Sequence, residues 1–227
     1  MMDFGNRVYL ETSFISYLAA KDSTDIFVVT RQRESRDWWE NSRNEFEVFV
    51  SDAVHREAAR GNATYAKQRL ELLDGLEILD TTDAVLGLAR ELVRRKAVPE
   101  NAEEDAVHIA VAAVHNMDFL LTWNFRHINN LFLKLKIAEV CKDNEFQFPH
   151  SPNRISPGIK ARIEMITDPV IDELHAIKDQ LSREANHSVD ELVRQMREEA
   201  KAAGRKHVSF ESEKRVNPSP QKATAGN

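Results

Sequence analysis

Short apolar runs alternate with helical stretches along the first 145 residues, and this alternation constrains the fold most. The apolar runs are rich in aliphatic and aromatic residues, which predicts strands at 8–10, 46–51, 76–79 and 118–123. The stretches between and after them predict helices at 14–20, 24–43, 53–60, 63–73, 83–95, 102–115 and 128–142. Strands that alternate with helices favour an α/β fold of three layers, in which helices cover both faces of a parallel sheet. Ligands of such sheets bind at the carboxyl ends of the strands.

Charge and cysteine content narrow the classes of function. The chain carries a net charge of −6, and most of this negative charge precedes residue 151. An acidic domain argues against simple electrostatic capture of nucleic acid, but it is compatible with a nuclease whose acidic pocket takes a divalent metal. The single cysteine, Cys141, and the lack of an apolar run of about 20 residues predict a cytoplasmic protein without membrane association.

The composition changes near residue 148. We predict an α/β domain at 1–148, a linker or junction rich in proline at 149–166, a helical segment at 167–210 and a disordered tail at 211–227. Asp168 followed by Pro169 predicts a capped helix start, and Ser188 with Glu191 predicts a second. Both predicted helices are amphipathic, so each needs a partner surface for its apolar stripe.

Three acidic residues stand at strand ends or early in the following helices. Glu11 follows the first strand, Glu57 lies in the helix after the second, and Asp105 lies in the first turn of a helix that Asn101 is expected to cap. Asn124 follows the last strand. Carboxylates that converge in this way would bind Mg²⁺ or Mn²⁺, which prefer oxygen ligands. The spacing leaves open a second interpretation, in which each acid is only a helix cap or a dipole partner.

A family resemblance adds to this pattern. The runs VYLETSFISYL, FVSDAVHREAARG and AEEDAVHIAVAAVHNMDFLLTWNFRHI resemble the successive motifs of PIN-domain ribonucleases, most closely the VapC-type toxins of bacterial toxin–antitoxin pairs. The resemblance covers about residues 7–145. It implies a metal-dependent endoribonuclease that hydrolyses phosphodiester bonds of RNA with Mg²⁺ or Mn²⁺.

The resemblance also assigns roles to single positions. Metal ligation and catalysis fall on Glu11, Glu57 and Asp105, with Asn124 as a fourth catalytic position. Relatives usually have aspartate at the first of these positions, and many have it at the fourth, so Asn124 lowers the charge of the site. Hydroxyl groups that support the acids fall on Thr12, Ser13 and Thr122.

The C-terminal helical segment resembles a small antitoxin. From about residue 165 the sequence MITDPVIDELHAIKDQLSREANHSVDELVRQMREEAKAAGRKHVSF is similar to the inhibitors encoded beside such toxins. The resemblance implies a toxin–antitoxin fusion whose tail docks in cis, or in trans within a homodimer or higher homo-oligomer. We expect Arg205 or Lys206 to reach the acidic pocket; alternatively, these cations only complement the dipole of the last helix.

Two further features bear on activity. The stretch EFQFPHSPNRISPGIK stands where relatives have an edge strand and suits a strand poorly, which predicts a lost or remodelled edge. Together with Glu11 and Asn124 in place of aspartates, it keeps open a catalytically silent fusion that acts as a binding or regulatory module. The histidines lack a regular metal-ligand spacing, so packing or surface roles are favoured for His55, His108, His115 and His127.

Overall fold

The computed structural model describes residues 6–150 and 168–210. In the first range, strands and helices follow each other in the order β1 (Arg7–Leu10), α1 (Thr12–Ala19), α2 (Ile26–Asp37), β2 (Glu47–Ser51), α3 (Asp52–Ala58), α4 (Ala63–Leu73), β3 (Glu77–Leu79), α5 (Asp83–Arg94), α6 (Glu103–Val114), β4 (Phe119–Leu121) and α7 (Leu131–Asp143). The second range contains α8 (Pro169–Glu184), α9 (Val189–Ala202) and β5 (His207–Val208).

The strands form one parallel sheet in the order β4-β1-β2-β3-β5. Side chains alternate between its faces, as a pleated strand requires. Tyr9 of β1 contacts His108 of α6, whereas its neighbour Val8 lines a cavity on the other face with Phe14 and Trp38. Helices therefore cover both faces, and the predicted α/β fold of three layers is confirmed.

Helix α6 is the central helix of the core. Every residue from Glu103 to Val114 is buried, including its three acidic residues. The apolar part of this helix is mostly alanine and valine, so neighbouring elements approach it closely. The acids of its first turn are thereby held at the carboxyl edge of the sheet, where the first two strands also end.

Two local predictions were wrong. The helix predicted at 24–43 is interrupted, because α2 passes into a π-helical turn at Trp38–Ser42 and a 3-10 turn at Arg43–Glu45. Helix α6 is not capped by Asn101, since Ala102 takes the cap position without a side-chain hydrogen bond. Glu104, three residues after Asn101, is buried.

The C-terminal helices pack on the α/β domain of the same chain. The predicted start of α8 is confirmed, because Asp168 accepts hydrogen bonds from Val170 N (3.1 Å) and Ile171 N (3.4 Å). Ser188 likewise caps α9 by accepting from Glu191 N at 3.4 Å. The apolar stripes of both helices are buried against α1, α3, α5 and α6.

Both edges of the sheet involve segments outside the predicted strands. The sequence did not predict β5, which follows α9 and pairs with β3 through Ile78–His207 and Leu79–Val208. At the other edge, His150 forms an isolated parallel bridge with Phe119. The predicted junction after residue 150 and the predicted disordered tail at 211–227 lie outside the described residues. Within those residues, no helix is long and apolar enough to cross a membrane.

Candidate metal centre

Three acidic side chains from separate elements meet around one ammonium group. Glu11 is the N-cap of α1, Glu57 lies in α3, and Asp105 lies in the first turn of α6. All three are at most 2% exposed. The Nζ of Lys178, from the middle of α8, lies 2.7 Å from Glu11 Oε1, 2.6 Å from Asp105 Oδ1 and 3.7 Å from Glu57 Oε1. The predicted acids therefore share one pocket, and a cation from the C-terminal segment occupies it.

Hydroxyl and backbone groups fix the orientation of Glu11. Its Oε2 accepts hydrogen bonds from Ser13 N at 2.9 Å, from Thr122 Oγ1 at 2.9 Å and from the Ser13 hydroxyl. Two of the three expected supporting residues thus contact the acid. Thr12 does not, because its buried hydroxyl has no hydrogen-bond partner within the described residues.

Asp105 is held from two sides. Asn124 Nδ2 donates to Oδ1 at 3.0 Å, and His127 Nδ1 lies 2.7 Å from Oδ2. The other end of the same amide is also engaged, since Asn124 Oδ1 accepts from His127 N at 3.0 Å. Asn124 therefore orients an acid and a histidine in this conformation.

Glu57 is held by a chain of hydrogen bonds that crosses the sheet. Its Oε1 lies 3.0 Å from His108 Nε2, His108 Nδ1 lies 2.7 Å from the hydroxyl of Tyr9, and that hydroxyl lies 2.7 Å from Ser51 Oγ. A carboxylate only accepts, so Nε2 carries the proton of this contact. The second oxygen, Oε2, has no hydrogen-bond partner within the described residues. Ligand atoms of Glu11, Glu57 and His108 all lie within 4.8 Å of one another, close enough to hold one metal ion.

Sequence reasoning missed the two histidines of the site. His108 lies three residues after Asp105 in α6, a spacing that puts both side chains on one helix face, and this signal was available. His127 had no comparable signal, because it follows β4 in a loop. His115 fits the packing role that was expected, since its Nε2 lies 2.8 Å from the carbonyl oxygen of Asp80.

Opposite charges favour the ionised forms of Glu11, Asp105 and Lys178 despite their burial. Burial is the largest influence on Asp105 and opposes ionisation, but Lys178 and then His127 outweigh it and lower the pKa of the carboxyl. The same balance between burial and Lys178 lowers the pKa of Glu11. For Lys178, burial opposes the charge, yet the surrounding acids raise the pKa of the ammonium well above its usual value. The arrangement is a buried cation site formed by carboxylates.

The neighbouring acid Glu104 behaves differently. Burial, followed by repulsion from Glu57, raises the pKa of Glu104 to about 9. Neither of its carboxyl oxygens has a hydrogen-bond partner within the described residues. Glu104 is therefore protonated at neutral pH and adds no charge to the pocket.

The expected positions of Arg205 and Lys206 were wrong. Arg205 Nη1 lies 2.5 Å from Asp52 Oδ1, beside His207 Nε2 at 2.8 Å from Asp52 Oδ2, and Lys206 is exposed. These residues follow α9, where the chain runs along the β3 edge, whereas α8 lies over the pocket. A signal for Lys178 existed, because it falls inside the apolar stripe of α8.

Comparison with known proteins agrees with this geometry. The family model described as PIN domain matches residues 8–129, and the match includes all three acids of the pocket. No curated protein and no solved structure matches the chain. PIN domains are generally metal-dependent nucleases. Since the matched residues make up more than half of its length, the chain belongs to the PIN-domain family.

Proposed function

We propose that residues 1–148 form a VapC-type endoribonuclease that hydrolyses RNA phosphodiester bonds with Mg²⁺ or Mn²⁺, and that residues 167–210 are a fused antitoxin-like inhibitor. One observation carries this proposal. The ammonium of Lys178 lies within 2.7 Å of two of the three acids and 3.7 Å from the third. A buried group of carboxylates that takes a cation from an appended segment is suited to take a metal when the segment leaves.

The residues of the pocket fit a divalent metal. Glu11, Glu57 and Asp105 would hold it, and Glu57 Oε2, which has no partner among the described residues, offers a ligand atom. When bound, such an ion activates water and stabilises the oxygens of the reacting phosphodiester. The chain's own groups pre-orient the acids through Ser13, Thr122 and Asn124. His108 holds one oxygen of Glu57, and His127 holds one oxygen of Asp105.

The helical segment at 167–210, called the tail from here on, would inhibit by occupying the same pocket. The Lys178 ammonium contacts the same carboxylate oxygens that a metal would need, so the two cations exclude each other. Helix α8 also covers the pocket, since Leu174, Ile177 and Leu181 are buried on either side of Lys178. In the structure the C-terminal helices and the acids belong to one chain. Exchange of the C-terminal segments in a homodimer or higher oligomer stays a prediction, as does a cytoplasmic location.

A catalytically silent fusion is the second candidate. The observation that favours it is the depth of the lysine contact, because Lys178 itself is only 6% exposed and its charge is fully compensated. A tail held in this way would leave the domain as a binding or regulatory module.

Cleavage assays on the full chain separate the two candidates. We would incubate labelled single-stranded RNA with the wild-type chain and with Lys178→Ala, in Mg²⁺, in Mn²⁺ and in a chelator. We expect cleavage by Lys178→Ala with either metal and little by the wild type. Lys201→Ala is the matched control, because Lys201 is exposed on the second tail helix. A folded Lys178→Ala chain that cleaves no RNA in any metal would favour the silent module.

A further inference from the structure

Three arginines of the α/β domain lie next to the acidic pocket and face glutamates of the tail. Arg60 makes a two-pronged contact with Glu184, at 2.9 and 3.2 Å. Arg56 Nε lies 3.3 Å from Glu199 Oε1, and Arg69 Nη1 lies 3.8 Å from Glu173 Oε2. The domain is acidic overall, whereas these three arginines form a local group of positive charge.

Two of these arginines flank Glu57 in sequence, and the third lies on the next helix. Arg56 precedes Glu57 in α3, and Arg60 follows the end of that helix. Arg69 reaches back from α4 and donates to the carbonyl oxygens of Ala58 (3.2 Å) and Arg60. The domain itself therefore fixes the guanidinium group of Arg69, whereas the side chains of Arg56 and Arg60 contact residues of the tail.

The tail satisfies Arg56 incompletely. This side chain is 4% exposed and donates from Nη2 to Gln195 Oε1 at 2.5 Å. Its Nε and Nη1 have no hydrogen-bond partner within the described residues, despite the ion pair with Glu199. Buried guanidinium donors without partners are costly, and their planar fork matches a phosphate group. The unused donors indicate a ligand with more acceptor oxygens than the tail supplies.

The charges of the tail reproduce those of a metal-bound nucleic acid. Lys178 stands where a cation belongs, and Glu173, Glu184 and Glu199 place anions on the three arginines. Glu173 and Glu184 are eleven residues apart on α8, or roughly 16 Å at the helical rise of 1.5 Å per residue.

We infer that Arg56, Arg60 and Arg69 form the binding track for the phosphates of a single-stranded RNA substrate, and that the tail glutamates occupy it in the inhibited chain. This inference rests on the proposed nuclease function. It adds a substrate-binding role for the arginines and makes the tail a mimic of both the metal and the RNA backbone.

A measurement of RNA binding under conditions that prevent cleavage tests this binding track. We would use full-length Lys178→Glu, whose added carboxylate repels the acidic pocket and releases the tail, with a fluorescent single-stranded oligoribonucleotide in chelator. Combining it with Arg56→Gln, Arg60→Gln and Arg69→Gln should weaken binding at least tenfold. The slope of log affinity against log salt should fall by roughly 0.7 for each lost phosphate contact. Arg94→Gln is the control, because Arg94 pairs with Glu91 on the exposed side of α5.

A second variant guards against a failure of Lys178→Glu to fold. The full chain with Glu173→Gln, Glu184→Gln and Glu199→Gln keeps Lys178 and frees the arginines, and it should bind the same oligonucleotide more tightly than the wild type. Unchanged affinity and salt slope in the arginine variants would overturn the track, even if Lys178→Glu cleaves RNA. Arginine-dependent binding without cleavage in any metal would instead refute the nuclease function and leave the track standing.

Discussion

Replacement of Lys178 by methionine tests the central contact of this protein. The change keeps an unbranched apolar stem of similar length but removes the ammonium that lies among three buried carboxylates. Removing one partner of a buried ion pair typically costs about 3–5 kcal/mol. For a chain of this size, 1 kcal/mol shifts Tm by about 2–4 °C, so Tm should fall by roughly 6–20 °C at neutral pH. The loss of stability cannot exceed the free energy with which the C-terminal helices dock on the α/β domain, because undocking exposes the acids to water.

The pH dependence of this loss has a defined sign. In the wild type, Lys178 outweighs burial and lowers the pKa of Glu11 and of Asp105. Their contribution to stability is therefore complete above the unfolded pKa near 4, and it is lost as pH falls through the lower folded values. In Lys178→Met, burial and mutual repulsion raise the pKa of the same carboxyls, so protonation relieves the cost. The difference in Tm should be largest near pH 7 and should narrow towards pH 5.

Thermal unfolding with and without metal provides the assay. Mn²⁺ or Mg²⁺ should stabilise Lys178→Met, by about 2.7 kcal/mol when the metal exceeds its Kd a hundredfold, and should leave the wild type almost unchanged. Hydrogen exchange over Pro169–Glu184 would report whether α8 undocks. Lys201→Met is the control for a surface lysine of the tail. A variant with wild-type Tm, wild-type exchange and no metal response would refute the role assigned to Lys178.

Three further predictions address the surroundings of the pocket. Asp105→Asn should lower Tm in the wild-type chain, because it removes a partner of Lys178. In the Lys178→Met background the same change should raise Tm and abolish cleavage. A change in Tm of the same sign in both backgrounds would contradict a shared cation site. Because the pKa of Glu104 is raised to about 9, Glu104→Gln should stabilise the chain by about 1–3 kcal/mol at pH 7 in chemical denaturation, with a smaller gain at pH 5. A gain that does not depend on pH would show that Glu104 is ionised. Phe210→Ala removes a ring that packs edge-to-face on Phe49, with 5.4 Å between the ring centroids, so it should speed hydrogen exchange in β5 and α9. Protection equal to wild type would show that this ring does not anchor the C-terminal segment.

The sequence by itself determined the local elements and the three acids. Apolar runs that alternate with helical stretches predicted the four strands of the α/β domain. This was possible because the pattern of apolar residues within a strand or helix follows from local backbone geometry. Asp168 and Ser188 could be assigned as caps for the same reason, since a cap needs only its own side chain and the next few amides. Parallel strands bring their carboxyl ends to one edge, so the position of Glu11 and Glu57 near each other followed from topology.

Contacts between distant segments were decided only by the tertiary structure. Lys178, rather than Arg205 or Lys206, fills the pocket because the docking of α8 on α1, α3 and α6 determines which cation lies over the acids. Pairing of β5 with β3 depends on the path of the chain after α9, which no local pattern encodes. The network from His108 to Tyr9 and Ser51 also joins three elements far apart in sequence. In each case three-dimensional packing selects the partner. A charged side chain or an apolar stripe in the sequence shows that a partner is needed, but it does not show which one.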